Sequence, residues 1–193
     1  MNATVNVMGR LSGNLKCAVT AILITVGYTI PAAAQETSLD PLFERLRNTD
    51  ADGAMQIEGK IWREWSRSGS ASMDLLLRRG REAMQAEDFD KAIEHFTALT
   101  DHAPDFAQGW NLRATAYYRK SLYGPAISDI QRTLSLEPRH FGALSGFALI
   151  LEELGYLEEA LEAYRAVEAI HPLRENLSTA IDRLEAAVGG QAL

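Results

Sequence analysis

A chain of 193 residues, 47% apolar and 23% charged, has the composition of an ordinary globular protein and is neither a wholly disordered nor a collagen-like chain. Its net charge is −7 and it contains no run of Lys or Arg, which argues against a general nucleic-acid binder. The length is that of one domain and is too short for a barrel enzyme.

The first 34 residues contain no Asp or Glu, and only Arg10 and Lys16 are charged. An uncharged run from Cys17 to Ile30 ends at Pro31, followed by Ala32-Ala33-Ala34 and Gln35. A basic start, a short apolar stretch and an Ala-x-Ala ending predict a secretory signal over 1–34, cut between Ala34 and Gln35. The run has 14 residues, against the roughly 20 of a membrane-spanning helix. Retention as an uncleaved anchor is the alternative, as is a start at Met8. Leu15-Lys16 before Cys17 does not match the small-residue box of a lipidated cysteine. Cleavage removes the only cysteine, so the mature chain has no disulfide or thiol chemistry. The expected location is the periplasm, with no membrane span once the signal is gone.

Residues 35–72 predict two short helices. Asp40-Pro41 opens the first, with Leu42, Phe43 and Leu46 on its apolar side. Asp50 or Asp52 caps the second, which carries Ile57, Ile61, Trp62 and Trp65. The pair fits an incomplete copy of the unit that repeats from residue 73 onward, with Gly53 at its turn. Asn48-x-Asp50-x-Asp52-Gly53 resembles the opening of a calcium loop, but the twelfth position is Gly59 where a bidentate Glu is needed, so capping is the reading. Trp62 and Trp65 share one helix side, which predicts core packing, with an exposed aromatic docking patch as the alternative. Ser66–Ser72 reads as a linker.

From residue 73 a period of 34 organises the chain. Pro104, Pro138 and Pro172 share one phase, as do Ala92, Ala126 and Ala160, and the small residues Gly80, Ala114 and Ala148. Phe89, Tyr123 and Leu157 form a further column, and Phe96, Ile130 and Tyr164 another. The units are 73–106, 107–140 and 141–174. Each reads as two helices joined by a tight turn. Small residues let backbones approach, the large columns fill the space left, and proline stops each second helix. Residues 175–188 carry Leu177, Ala180, Ile181, Leu184 and Val188, a helical stripe that predicts a closing helix ended by Gly189-Gly190. The fold class is therefore all-α, stacked helix pairs with an N-terminal pair and a cap over 175–193.

The middle unit, with Trp110-x2-Arg113-Ala114-x2-Tyr117, Ala126-x3-Ile130 and Pro138, resembles the tetratricopeptide repeat family. Arg113 and Ile130 depart from the family's Leu and Phe. The resemblance implies a right-handed solenoid of antiparallel helix pairs whose first helices line a concave, peptide-holding surface. Carried over by position, that surface comprises Leu77, Arg81 and Met84, then Asn111, Thr115 and Tyr118, then Ser145, Leu149 and Glu152. The partner-binding candidates are Arg81, Asn111, Thr115, Tyr118, Arg119, Ser145 and Leu149. Two adjacent tyrosines cannot both face the core. Tyr117 fills the packing column, so Tyr118 is expected at the groove. Where some family members clamp a C-terminal carboxylate, this chain has Leu77, Arg81, Leu112, Gly142 and Gly146, which leaves the clamp effectively absent.

No chemistry-bearing motif stands out. There is no Gly-x-Ser-x-Gly, phosphate loop or His-Glu-x-x-His. His95, His102, His140 and His171 show no zinc spacing. Three of them lie near unit junctions, where polar surface residues are common. No catalytic residue, metal or cofactor is expected. Charge is uneven: unit one has 4 basic and 8 acidic residues, unit two 5 and 2, unit three 2 and 6. Either neighbouring units attract one another, or an acidic partner segment is steered to the middle of the groove. The expected function is an interaction scaffold of the bacterial envelope that holds another protein's segment and binds no nucleic acid. An accessory or regulatory subunit of an envelope enzyme is the alternative.

Overall fold

The structure, a computed structural model, describes residues 39–191. The predicted signal and its Ala34/Gln35 cleavage site lie outside the described residues. Among the described residues there are nine α-helices and no strand. They are α1 (Asp40–Arg47), α2 (Ala51–Trp65), α3 (Ala71–Gln85), α4 (Phe89–His102), α5 (Ala107–Arg119), α6 (Tyr123–Leu136), α7 (Phe141–Glu153), α8 (Leu157–Ile170) and α9 (Leu177–Gln191). The pairs α3–α4, α5–α6 and α7–α8 are the three units, stacked in chain order and closed by α9.

The small-residue columns set how closely the helices approach. A Cβ on Gly80 would stand 2.3 Å from Cε1 of Phe96, so only glycine lets α3 and α4 meet at that ring. Ala92, Ala126, Ala148 and Ala160 are fully buried, and Ala114 nearly so. Phe96, Ile130 and Tyr164 fill the space beside them and are buried. Phe89, Tyr123 and Leu157, at the starts of their helices, are only half-buried. Prolines 104, 138 and 172 each come after a C-cap residue, because the residue before proline is pushed out of the helical region.

One column escapes a reading based on hydrophobicity. Glu87, Ser121 and Gly155 recur at the turn within each unit and all take positive φ, at 57°, 57° and 80°. The turn geometry demands a left-handed residue, and only the third unit supplies the residue type that adopts it without steric cost.

Arg113, the departure from the family pattern, makes the most buried ion pair of the stack. Its Nε and Nη2 donate to the two carboxylate oxygens of Asp129 on α6 at 2.7 and 2.8 Å. Its Nη1 donates to the hydroxyls of Thr97 and Thr100 on α4, and its guanidinium lies 4.8 Å from the centre of the Trp110 ring. One side chain thus ties unit two internally and to unit one. The remaining cations of unit two also find partners within the chain. Arg119 pairs with Glu87, Lys120 with Asp90, Arg132 with Asp105, and Arg139 with Asp40. The expected attraction is therefore realised toward unit one and the N-terminal pair, while none of these four pairs reaches a carboxylate of unit three.

At the far end, Leu177, Ile181 and Leu184 bury the inner face of α9. The expectation that Gly189-Gly190 end this helix is corrected, since α9 runs through both to Gln191. A glycine stop requires a left-handed backbone, and neither glycine adopts one.

The N-terminal pair departs most from the sequence reading, because it does not pack as a degenerate first repeat. Gly53 lies in the first turn of α2, where its amide donates to the Asp50 cap at 2.9 Å. A Cβ there would collide with Thr49 Oγ1. The chain turns back through Ser66–Ser70, with Gly69 at φ 76°, and Ala71 and Ser72 already belong to α3. As a result α2 meets the start of α7 and the segment that follows α8. The Trp65 ring stacks flat on His140, with centroids 4.1 Å apart and 8° between planes. Trp62 meets His140 and Phe141 edge-on, and a Cβ on Gly142 would stand 2.6 Å from its ring. The Glu58 carboxylate accepts from Trp62 Nε1 at 3.0 Å, from His171 Nε2 at 3.1 Å and from Arg174 Nη1 at 3.2 Å. Arg81 Nη2 donates to Ser66 Oγ at 2.8 Å, while the Arg139 guanidinium sits 4.2 Å from the Phe43 ring centre on α1. The two tryptophans are thus packing residues, as expected, but their partners, His140 and Phe141, stand where units two and three join.

This seam also corrects the histidines. His140 and His171 are buried junction residues, 0% and 1% exposed, rather than surface ones. His140 Nδ1 accepts from the Ala143 amide at 3.1 Å and caps α7, so the proton sits on Nε2, which donates to Gln108 at 2.9 Å.

These contacts have two measurable consequences. Asp129→Ala leaves the Arg113 guanidinium buried without its anion and should cost about 3–5 kcal/mol in a denaturant melt, whereas removing both charges with Arg113→Leu/Asp129→Leu should restore much of it. The second concerns acid. Burial pushes the His140 imidazole from 6.5 down to about 3. The His171 hydrogen bond, helped by Trp62 and the Arg174 charge, outweighs burial and holds the Glu58 carboxyl at about 2 instead of 4.5. Both folded values are depressed, so the unfolded chain takes up these protons first. Stability should be fully present above about pH 6.5, fall progressively below it on account of His140, and fall further on account of Glu58 between about 4.5 and 2. Urea midpoints at pH 7, 5.5 and 4 test this, and equal midpoints would contradict the neutral, buried state of His140.

Candidate partner-binding groove

The first helices of units two and three, α5 and α7, lie side by side with small residues between them. Ala114 on α5 and Gly142 and Gly146 on α7 leave a cavity of about 260 Å³. Six of the seven candidate residues line it: Asn111, Thr115, Tyr118, Arg119, Ser145 and Leu149. The seventh, Arg81, does not. It lies on α3, half-buried against Ser66, and no carboxylate among the described residues is within ion-pair distance of it. Arg119 reaches the cavity rim from beside the Phe89 ring, 4.6 Å from its centre, while paired with Glu87 at 3.3 Å.

The polar groups differ in what remains open on them. The Thr115 hydroxyl donates to the Asn111 carbonyl at 2.9 Å, and Ser145 donates to the Phe141 carbonyl at 2.8 Å, so each offers only its lone pairs. Asn111 is 8% exposed, yet its side-chain amide has no hydrogen-bond partner among the described residues. It therefore presents one donor face and one acceptor to the cavity. Leu149, 41% exposed, supplies an apolar wall. Tyr118 is half-exposed, and its hydroxyl donates to Glu153 on α7 at 2.6 Å, as does that of Tyr123. Those two bonds hold the Glu153 carboxyl below the usual carboxylate range. The same carboxylate pushes the Tyr118 phenol up to about 12, so it stays protonated. Tyr118 is thus fixed in direction across the unit boundary while lining the cavity.

Sequence reasoning missed one end of this groove. Arg174, the last residue of unit three, lines the cavity while bonded to Glu58. A second cavity of about 480 Å³ shares Ser145, Leu149 and Arg174 and continues to Asn176 and Ala180 at α9. The repeat register could have suggested Gly142 and Gly146, which stand at adjacent turns where the other units carry larger residues. Nothing in the register marks Arg174. Among the described residues no group of three His, Cys, Asp or Glu is arranged to hold a metal ion, and no helix is long and apolar enough to cross a membrane.

Comparison with known proteins agrees with this architecture. The tetratricopeptide repeat family profile matches residues 77–132 and 123–175. A tetratricopeptide repeat-containing protein of Rhizobium etli is 34% identical over 160 residues, which is 82% of this chain and 78% of that protein. The small glutamine-rich tetratricopeptide repeat-containing protein 2 of Saccharomyces cerevisiae is 29% identical over 116 residues, 60% of this chain but only 33% of its own length. Among solved structures, the first such domain of RPAP3, bound to an HSP90 peptide, superposes with a TM-score of 0.58 at 24% identity, covering 61% of this chain and 93% of that one. The Sgt2 domain of Aspergillus fumigatus gives 0.59 at 20% identity, covering 64% and 83%. With its repeat period, its stacked helix pairs and these matches, the chain belongs to the tetratricopeptide repeat family.

Proposed function

We propose that this protein is an interaction scaffold of the bacterial cell envelope that holds an internal segment of a partner protein between α5 and α7. The observation that carries this reading is Asn111: its side-chain amide stands in the wall of a cavity with donor and acceptor both free of any partner among the described residues. A peptide backbone presents a matching acceptor and donor to this amide. Leu149 and Tyr118 supply apolar contact beside it, the composition expected of a binding centre. The surface-exposed Arg119–Glu87 pair and the Arg174–Glu58 pair stand at the rim. Exposed pairs of the Arg119 kind contribute little by themselves, so an acidic partner segment can compete for that cation.

The RPAP3 domain holds a peptide ending in Glu-Glu-Val-Asp. This chain is read differently, because the clamp positions hold Leu77, Leu112, Gly142 and Gly146, and Arg81 is engaged with Ser66. An internal segment read through its backbone fits better than a chain terminus. Placement in the envelope rests on the basic start, the apolar run and Ala32-Ala33-Ala34, supported by the bacterial source of the Rhizobium relative.

Two measurements test the proposal. N-terminal sequencing of the protein recovered from envelope fractions should begin at Gln35, and a chain retaining residues 1–34 in the membrane fraction would favour the anchor. A photo-crosslinking residue at Leu149 should capture one protein, where the same residue at exposed Glu158 does not. Asn111→Ala or Tyr118→Ala should weaken that interaction by about 1–2 kcal/mol, with folding stability changed by about 0.5 kcal/mol. Equal capture at both positions would sink the groove reading.

A further inference from the structure

The contact between α2 and the repeats has the character of a bound ligand. It is made by side chains at one spacing, Glu58, then Trp62 four residues on, then Trp65 three further, all on one side of a helix. The receiving surface is built from separate parts of the stack. His140, Phe141 and Gly142 at the start of α7 take the two rings, and His171 and Arg174 beyond α8 take the carboxylate. Charge and shape therefore both match: a carboxylate against a guanidinium and an imidazole, and two indoles over a glycine and an aromatic shelf.

The fit is incomplete. The two buried side-chain nitrogens that lack a hydrogen-bond partner among the described residues, Trp65 Nε1 and His171 Nδ1, both lie at this seam. An unsatisfied buried donor or acceptor weakens the interface that holds it. The connection to unit one is a mostly exposed Ser/Gly segment, Ser66–Ser70, with nothing packed against Gly69. Such a link permits the helix to leave while the repeats stay folded. Gly142 and Arg174 also line the cavity between α5 and α7, so the seam and the cavity share residues.

We infer that the seam is a docking surface for an amphipathic helix carrying Glu-x3-Trp-x2-Trp, that α2 occupies it in cis, and that a helix of the same pattern presented in trans takes its place. The inference does not depend on the cavity holding a peptide, and its test reads the seam alone. The probe is a fluorescein-labelled synthetic peptide of residues 50–66, and the protein is the full mature chain. In Trp62→Ala/Trp65→Ala the cis helix loses its anchors, and the peptide should bind at least tenfold more tightly than to the wild type, whose site is filled. A peptide with both tryptophans changed to alanine should not bind. Glu58→Arg keeps both rings but sets a cation against Arg174, and it should raise affinity for the unmodified peptide at least threefold. In the wild type, amides of α1–α2 should exchange with deuterium at least tenfold faster than those of α5–α8. No peptide binding to either variant, with helical circular dichroism retained, would overturn the inference. So would equal affinity for wild type and variants, or α1–α2 amides that exchange no faster than the repeats. Should both variants lose their helical signal, the exchange comparison on the wild type decides by itself.

Discussion

Everything in this protein depends on how closely two helices can approach within a repeat unit. At Gly80 the approach is so tight that the Phe96 ring occupies the place of a side chain. At Ala92, Ala126, Ala148 and Ala160 the methyl group is fully buried. Close approach converts modest amphipathic helices into a buried core, because no helix pair of this kind can hide its apolar face alone. It also fixes the rotation of each first helix, and so decides which residues are left facing the inner surface. The groove is a by-product of packing before it is anything else.

Polar groups inside the stack obey the same geometry. Arg113 stands where the family places an apolar residue, and it is tolerated because Asp129 and two threonine hydroxyls answer its guanidinium. Burial makes that arrangement a commitment: with all partners present the charge costs little, and with one missing it costs much. Tyr118, Tyr123 and Glu153 form a lighter version at the surface, tying units two and three through a shared carboxylate. The Arg113 contacts hold unit two to unit one, and the tyrosine pair spans the boundary beside the cavity between α5 and α7.

The N-terminal pair adds a layer that the repeat does not foretell. Because α2 folds back along the stack, residues from the beginning, middle and end of the chain meet at one seam. Neutral His140 lies under Trp65 there, and ionised Glu58 faces Arg174. The chain's own helix thus reaches the groove through two of the residues that line it. Arg174 and Gly142 belong to both surfaces, which makes the state of that helix and the occupancy of the groove physically linked.

The fold class was legible in the sequence because it rests on periodicity. A spacing of 34 residues in proline, alanine and small residues states the helix lengths, their breaks and their order without any reference to distant contacts. The lining of the cavity was legible for the same reason, since Asn111, Thr115, Tyr118, Ser145 and Leu149 are placed by their register in a helix whose buried face is known. The left-handed column at Glu87, Ser121 and Gly155 stayed hidden because it is a property of backbone angle, and two of its three members are residue types that do not announce it. The role of Arg113, the burial of His140 and His171, and the path of α2 were decided only by the tertiary structure. Each depends on a partner 16 to 113 residues away, and a side chain's partner across such a distance leaves no mark in local pattern. Trp62 and Trp65 show the division clearly: their spacing specified that they would share a face and pack. What they would pack against was settled by the room that Gly142 leaves beside His140.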